Sequence, residues 1–126
     1  MASVKFRFED LEIWRMAIEV AELLLDVADE LEAKKLYRFA EQLRGSALSA
    51  PNNIAEGSGS VSKREFSQFL NIARRSTFEN ANMLIIFDRR KLIARNRRDH
   101  ILERLDHLSR IITSFQRTLI RTGHSA

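Results

Sequence analysis

Apolar residues recur at helical spacing through almost the whole chain. Between Phe8 and Leu31 they fall on two adjacent stripes, Leu11-Trp14-Ile18-Ala21-Leu25-Ala28 and Ile13-Ala17-Val20-Leu24-Val27-Leu31. At about 100° per residue these stripes, with Met16 and Leu23, cover roughly 220° of a helix's circumference. Glu12, Arg15, Glu19, Glu22, Asp26, Asp29 and Glu30 fill the remainder. A helix in a monomeric bundle needs an apolar face only somewhat over ~100° wide. The surplus arc predicts a contact with another subunit, through Ile13, Val20, Leu24 and Val27.

After a turn at Ala33-Lys34-Lys35, the pattern predicts a second helix from Leu36 to Glu56. It contains Pro51, the only proline. A proline inside a helix removes one hydrogen bond and clashes with the carbonyl four residues earlier. Phe39, Leu43 and Leu48 before it and Ile54 and Ala55 after it keep the helical spacing, so the helix is expected to continue through Pro51 with a kink. Asn52, Asn53 and Glu56 stand beside the kink, where an amide can satisfy a freed carbonyl. Gly45, Ser46, Ala47, Ser49 and Ala50 allow a neighbouring helix to come close. Gly57 and Gly59 suit the positive φ of a helix end.

Ser62-Lys63-Arg64-Glu65 reads as a capping box that opens a third helix, Ser62 to Lys91. Its core stripe is Phe66, Phe69, Leu70, Ala73, Thr77, Ala81 and Leu84. Met83-Leu84-Ile85-Ile86-Phe87 is apolar all round, and such a segment is buried on every side. Met83, Ile86 and Phe87 are therefore further candidates for a subunit contact. Asn96 is the expected N-cap of a fourth helix ending near Arg121, with the narrow seam Ile101-Leu105-Leu108-Ile112-Phe115-Leu119. Short connections make neighbouring helices antiparallel. The expectation is one all-α domain over residues 1–126, an up-down four-helix bundle with its core at about 8–121 and flexible tails at both ends.

Gln42-Leu43-Arg44, Ser49, Pro51, Asn53-Ile54-Ala55-Glu56-Gly57, Glu65-Phe66 and Phe69-Leu70, with the opening Phe8-Glu9-Asp10-Leu11-Glu12-Ile13-Trp14, carry a resemblance. At these spacings they resemble the signature of the four-helix-bundle proteins encoded in intervening sequences of bacterial 23S rRNA genes. That family is related to the accessory variability determinants of diversity-generating retroelements, pentameric helical barrels that bind nucleic acid and partner a reverse transcriptase. The resemblance implies a ring-like homo-oligomer, a homopentamer, and brings no catalytic residues and no defined biochemical activity. The chain departs from the common pattern at Gly45, at Ser58 and in Arg75-Ser76-Thr77-Phe78-Glu79.

Composition sharpens the functional expectation. There is no cysteine, which excludes disulfides and thiolate metal sites and fits a cytoplasmic location. The amino terminus has no apolar signal core, and no apolar run approaches the ~20 residues of a membrane span. The net charge of +4 is unevenly placed. Residues 1–33 hold three basic and nine acidic side chains, and residues 34–126 hold eighteen basic and eight acidic. Such asymmetry points to a polyanionic partner, RNA or DNA, although charges also simply solvate helix faces.

The candidate phosphate contacts are Arg89, Arg90, Lys91, Arg95, Arg97 and Arg98 around the third turn, with Lys63, Arg64, Arg74 and Arg75 as a second group. Arg97 and Arg98 stand at a helix start, where the dipole does not favour them. They are expected to be exposed.

Enzyme chemistry finds no footing. His100, Glu103 and His107 give one reversed and isolated version of a di-iron motif, off the apolar seam. His124 is the only other histidine. No serine has a histidine at a suggestive spacing, and Gly57-Ser58-Gly59 lacks the strand and lysine of a phosphate loop. The expectation is a non-catalytic protein without cofactor or metal. A structural or adaptor bundle that holds a protein partner through apolar helix surface is the alternative.

Overall fold

The computed structural model describes residues 3–124, with side chains described to Thr122. A 3-10 turn, Arg7–Asp10, precedes four α-helices: α1 (Glu12–Ala33), α2 (Tyr37–Ser58), α3 (Lys63–Arg89) and α4 (Arg95–His124). Among the described residues there is no strand. α1 and α3 each pack on both α2 and α4, so they occupy opposite corners of a four-helix bundle. Leu24, Leu31, Leu43, Ile54, Leu70, Leu84, Ile101, Leu105, Leu108 and Ile112 fill its centre.

The wide apolar arc of α1 is consumed mostly inside the chain. Ile13, Val20, Leu24 and Val27, expected at a subunit contact, are at most 3% exposed, as is Phe87. They are core residues, because α1 is flanked by α2 on one side and α4 on the other. Of the expected contact residues, Met83 is half-buried and only Ile86, 46% exposed, stands open to solvent.

The amino-terminal tail is tied down earlier than expected. The Phe6 N–H donates to Glu9 Oε2 at 2.8 Å, the Arg7 guanidinium donates to the Ser58 carbonyl, and the Phe8 ring lies 5.1 Å from Trp14. Met1, Ala2, Ser125, Ala126 and the His124 side chain, where the flexible tails are expected, lie outside the described residues.

α2 runs through Pro51 without interruption, and Pro51 is buried. Asn53 Nδ2 donates to the Ser49 carbonyl at 2.8 Å. The amide beside the proline thus serves a different carbonyl from that of Ala47. The α2–α3 interface carries a polar seam. Ser46 Oγ donates to Asn80 Oδ1, and the Ser49 and Ser76 hydroxyls lie 2.6 Å apart.

Neither Gly57 nor Gly59 has a positive φ; Gly59 sits at −84°. Gly57 is needed for closeness instead. A Cβ there would lie 2.7 Å from Phe69 Cβ and 2.8 Å from Phe66 Cδ1. The left-handed positions belong to Lys35 (φ 65°) and Lys91 (φ 59°).

These two lysines close twin Schellman motifs. Leu36 N donates to Leu31 O at 2.9 Å and Lys35 N to Glu32 O at 2.8 Å. Leu92 N donates to Phe87 O at 2.8 Å and Lys91 N to Asp88 O at 2.9 Å. Leu36 and Leu92 then turn in against the core, the apolar contact that accompanies this helix end. At the start of α3, Ser62 Oγ accepts from the Glu65 N–H at 3.1 Å, the forward half of the expected capping box. α4 begins at Arg95, two residues before the Arg97 start that an Asn96 cap implies, so Asn96 lies inside its first turn rather than at the cap.

Candidate nucleic-acid interface

Lys34 Nζ donates to the Leu92 carbonyl at 2.8 Å, which sets the α1–α2 and α3–α4 turns side by side at one end of the bundle. A cleft of ≈ 440 Å³ opens between them, lined by Glu30, Lys34, Asp88, Lys91, Leu92, Ile93, Ala94 and Arg95. Both helices that arrive here, α1 and α3, present their carbonyl ends, and cations are favourable beside such ends.

The six basic residues expected around the third turn divide by structure into two sets. Arg89, Arg90 and Lys91 are exposed and make no ion pair among the described residues. Arg95, Arg97 and Arg98 are engaged. Arg95 Nε donates to Asp88 Oδ2 at 2.8 Å, and Arg97 pairs with Glu30 of α1. Arg98 reaches Asp99 at 2.7 Å and Asp88 at 3.5 Å. The Arg97 and Arg98 side chains are 29% and 23% exposed, so neither projects freely as expected. Their cost at a helix start is met by nearby carboxylates.

The second group is not part of the same patch. Lys63 bonds Thr122 Oγ1 at 3.1 Å, which puts it and the neighbouring Arg64 where α3 begins and α4 ends. Arg74 donates to Asn71 Oδ1 at 3.0 Å, and Arg75 stands exposed along α3.

Sequence reasoning missed Lys34, Lys35 and Arg38. They precede the basic run by more than fifty residues and join it only through the fold. Lys35 and Arg38 are exposed and without ion pairs among the described residues. The patch that results has Lys35 and Arg38 on one hairpin and Arg89, Arg90 and Lys91 on the other, with Lys34 between. Arg44 does not contribute to it. Hydrogen bonds to Glu32, Asp29 and Glu41 occupy its guanidinium and hold its pKa above the ordinary arginine value.

His100, Glu103 and His107 are exposed on α4. Among the described residues no three His, Asp or Glu side chains assemble as a metal site. No described helix is long and apolar enough to cross a membrane. A family model described as 23S rRNA-intervening sequence protein matches residues 9–114. No curated protein matches the chain.

Proposed function

The chain belongs to the 23S rRNA-intervening sequence protein family, and from that premise we propose a non-catalytic, homo-oligomeric bundle that binds the phosphates of RNA or DNA. The observation that carries this reading is the unpaired basic surface across the twin turns: Lys35, Arg38, Arg89, Arg90 and Lys91 around Lys34. Unpaired guanidinium and ammonium groups are free to replace the counterions of a phosphate backbone. No element resembles a base-reading motif, so phosphates and shape dominate the contact. A ring of such subunits repeats the patch and raises avidity for a long polyanion.

The reading includes an up-down antiparallel arrangement, a kink at Pro51, assembly in a ring of five, and a cytoplasmic location. The cross-links support the antiparallel part. Ser46 and Ser49 meet Asn80 and Ser76, and Glu19 and Glu30 meet Arg104 and Arg97, so partner numbers fall as positions rise. The adaptor reading draws on exposed Ile72, Phe78 and Ile86 of α3.

Binding of labelled single-stranded RNA and duplex DNA over a salt series tests the function. Replacing Arg89, Arg90 and Lys91 by Ala should weaken binding similarly across sequences. The slope of log affinity against log salt should flatten by about 0.7–0.9 for each phosphate that the variant no longer neutralises. Replacing Arg97 and Arg98 should change that slope far less, because carboxylates of the same chain already neutralise them. Equal affinity of the triple variant and the parent protein, or no binding by either, would overturn the reading and leave the adaptor bundle.

A further inference from the structure

The outward faces of α1 and α3 differ in chemistry, and diagonal placement makes them point to opposite sides of the bundle. On α1 the exposed positions are Glu12, Arg15, Glu19, Glu22, Asp26, Asp29, Glu30, Glu32 and Ala33. Glu19, Asp29 and Glu30 are paired within the chain with Arg104, Arg44 and Arg97. Glu12, Glu22 and Asp26 have no ion pair among the described residues. Beside them Ile18 is half-buried, and Leu48 of α2 is 42% exposed.

The outward face of α3 carries Ile72, Phe78 and Ile86 at 45%, 62% and 46% exposure. Helical spacing places them within an arc of roughly 120°. Arg64, Arg75 and Arg89 lie on that arc, all exposed and none in an ion pair among the described residues, against Glu65 and Glu79. Scattered exposed apolar residues need no explanation, but three on one helix face, set among unpaired arginines, mark an interaction surface.

From these two faces we infer that the α3 face of one copy docks on the acidic α1 face of a second copy, head to tail. Charge complementarity selects this occupant. The chain itself carries the acidic surface that the basic apolar face requires. Because the two faces differ and lie on opposite sides, the contact is heterologous. Repeated, it generates a ring or an open filament and not a two-fold dimer. Ile72, Phe78 and Ile86 supply the apolar centre, with Ile18 and Leu48 opposite. Arg64 and Arg75, about 16 Å apart along α3, meet Glu12 and Glu22, about 15 Å apart along α1, at its edge. The inference rests on the homo-oligomeric part of the proposed function and specifies its interface.

Charge reversal tests it. One variant carries Glu12→Lys and Glu22→Lys; another carries Arg64→Glu and Arg75→Glu; a third carries all four. Sedimentation measures mass, and circular dichroism checks that helix content is unchanged. Like charges across the contact should weaken self-association of each two-site variant by about 100-fold or more. Mixing the two should restore assembly, and the four-site variant should assemble alone. Phe78→Asp should lower the mass without unfolding the bundle, since the ring is already exposed. An oligomeric parent whose mass none of these changes alters would overturn the interface and leave homo-oligomerisation standing. A monomeric parent would overturn both. Nucleic-acid binding is read separately, with Arg90 and Lys91 replaced by Ala, because both lie beyond the end of α3 whereas Arg89 belongs to the docking arc.

Discussion

Gly45 and Gly57 lie in the same helix, and the same substitution should have opposite consequences at the two sites. Alanine is favoured over glycine in a helix interior by about 0.8–1.0 kcal/mol. At Gly45 an added Cβ meets nothing within 4 Å, so Gly45→Ala should stabilise by nearly that amount. At Gly57 the added Cβ would sit 2.7 Å from Phe69 Cβ and 2.8 Å from Phe66 Cδ1. Phe69 Cβ is attached directly to the backbone and cannot rotate away. Relief therefore requires α2 and α3 to separate, and overpacking of this kind costs about 1–3 kcal/mol. Net, Gly57→Ala should range from neutral to destabilising by about 2 kcal/mol. Subtracting the two variants cancels the propensity and leaves the overpacking cost, about 1–3 kcal/mol. Urea unfolding followed by circular dichroism, at one fixed protein concentration because the proposed assembly would link stability to concentration, measures the difference. Equal stability of the two variants, or Gly57→Ala above Gly45→Ala, would refute the close approach of α2 to Phe66 and Phe69.

Lys35→Gly and Lys91→Gly should each stabilise by about 1 kcal/mol, since both lysines hold a left-handed backbone that glycine adopts freely; denaturant midpoints check this. The Asp10 carboxyl should titrate below the usual carboxylate range, because Lys5 Nζ hydrogen-bonds it at 2.7 Å and adds Coulombic attraction. A folded pKa below the unfolded one means that the small stabilisation exists above the unfolded value and fades as pH falls through the folded value. Lys5→Ala should return the carboxyl to the ordinary range in an NMR titration.

The helices are legible in the sequence because periodicity is local: each apolar stripe names its own element, and Ser62 announces the start of α3. The helix through Pro51 is legible because apolar spacing resumes at Ile54. The destination of the α1 stripes is not. Val20 and Leu24 read as surplus only if a helix has one neighbour, whereas α1 has two. The turns mislead for a related reason. Glycine is the commoner left-handed residue, but here Lys35 and Lys91 take that conformation, each followed by a leucine that anchors the turn in the core. Lys-Lys-Leu and Arg-Lys-Leu are the signals that mark them. The candidate site is half legible. Arg89, Arg90 and Lys91 form a visible run, but the Arg97–Glu30 pair and the Lys34–Leu92 bond join distant positions that no local pattern connects.

The polar seam between α2 and α3 acts as a vernier for the whole bundle. Small residues such as Ala47, Ala50 and Ala73 make that interface smooth, and a smooth interface discriminates poorly between alternative alignments. Sliding α2 by one turn, about 5.4 Å, would leave the helices in contact. It would also strand the buried Asn80 amide and the Ser46 hydroxyl, at about 1–3 kcal/mol for each unpaired group. Two hydroxyl contacts one turn apart thus select a single alignment from several nearly equivalent ones. The selection reaches the end of the molecule. Lys34 can meet Leu92 only when α1–α2 and α3–α4 end level, so serines and an asparagine deep in the bundle set the distance between two lysine-bearing turns that they never touch.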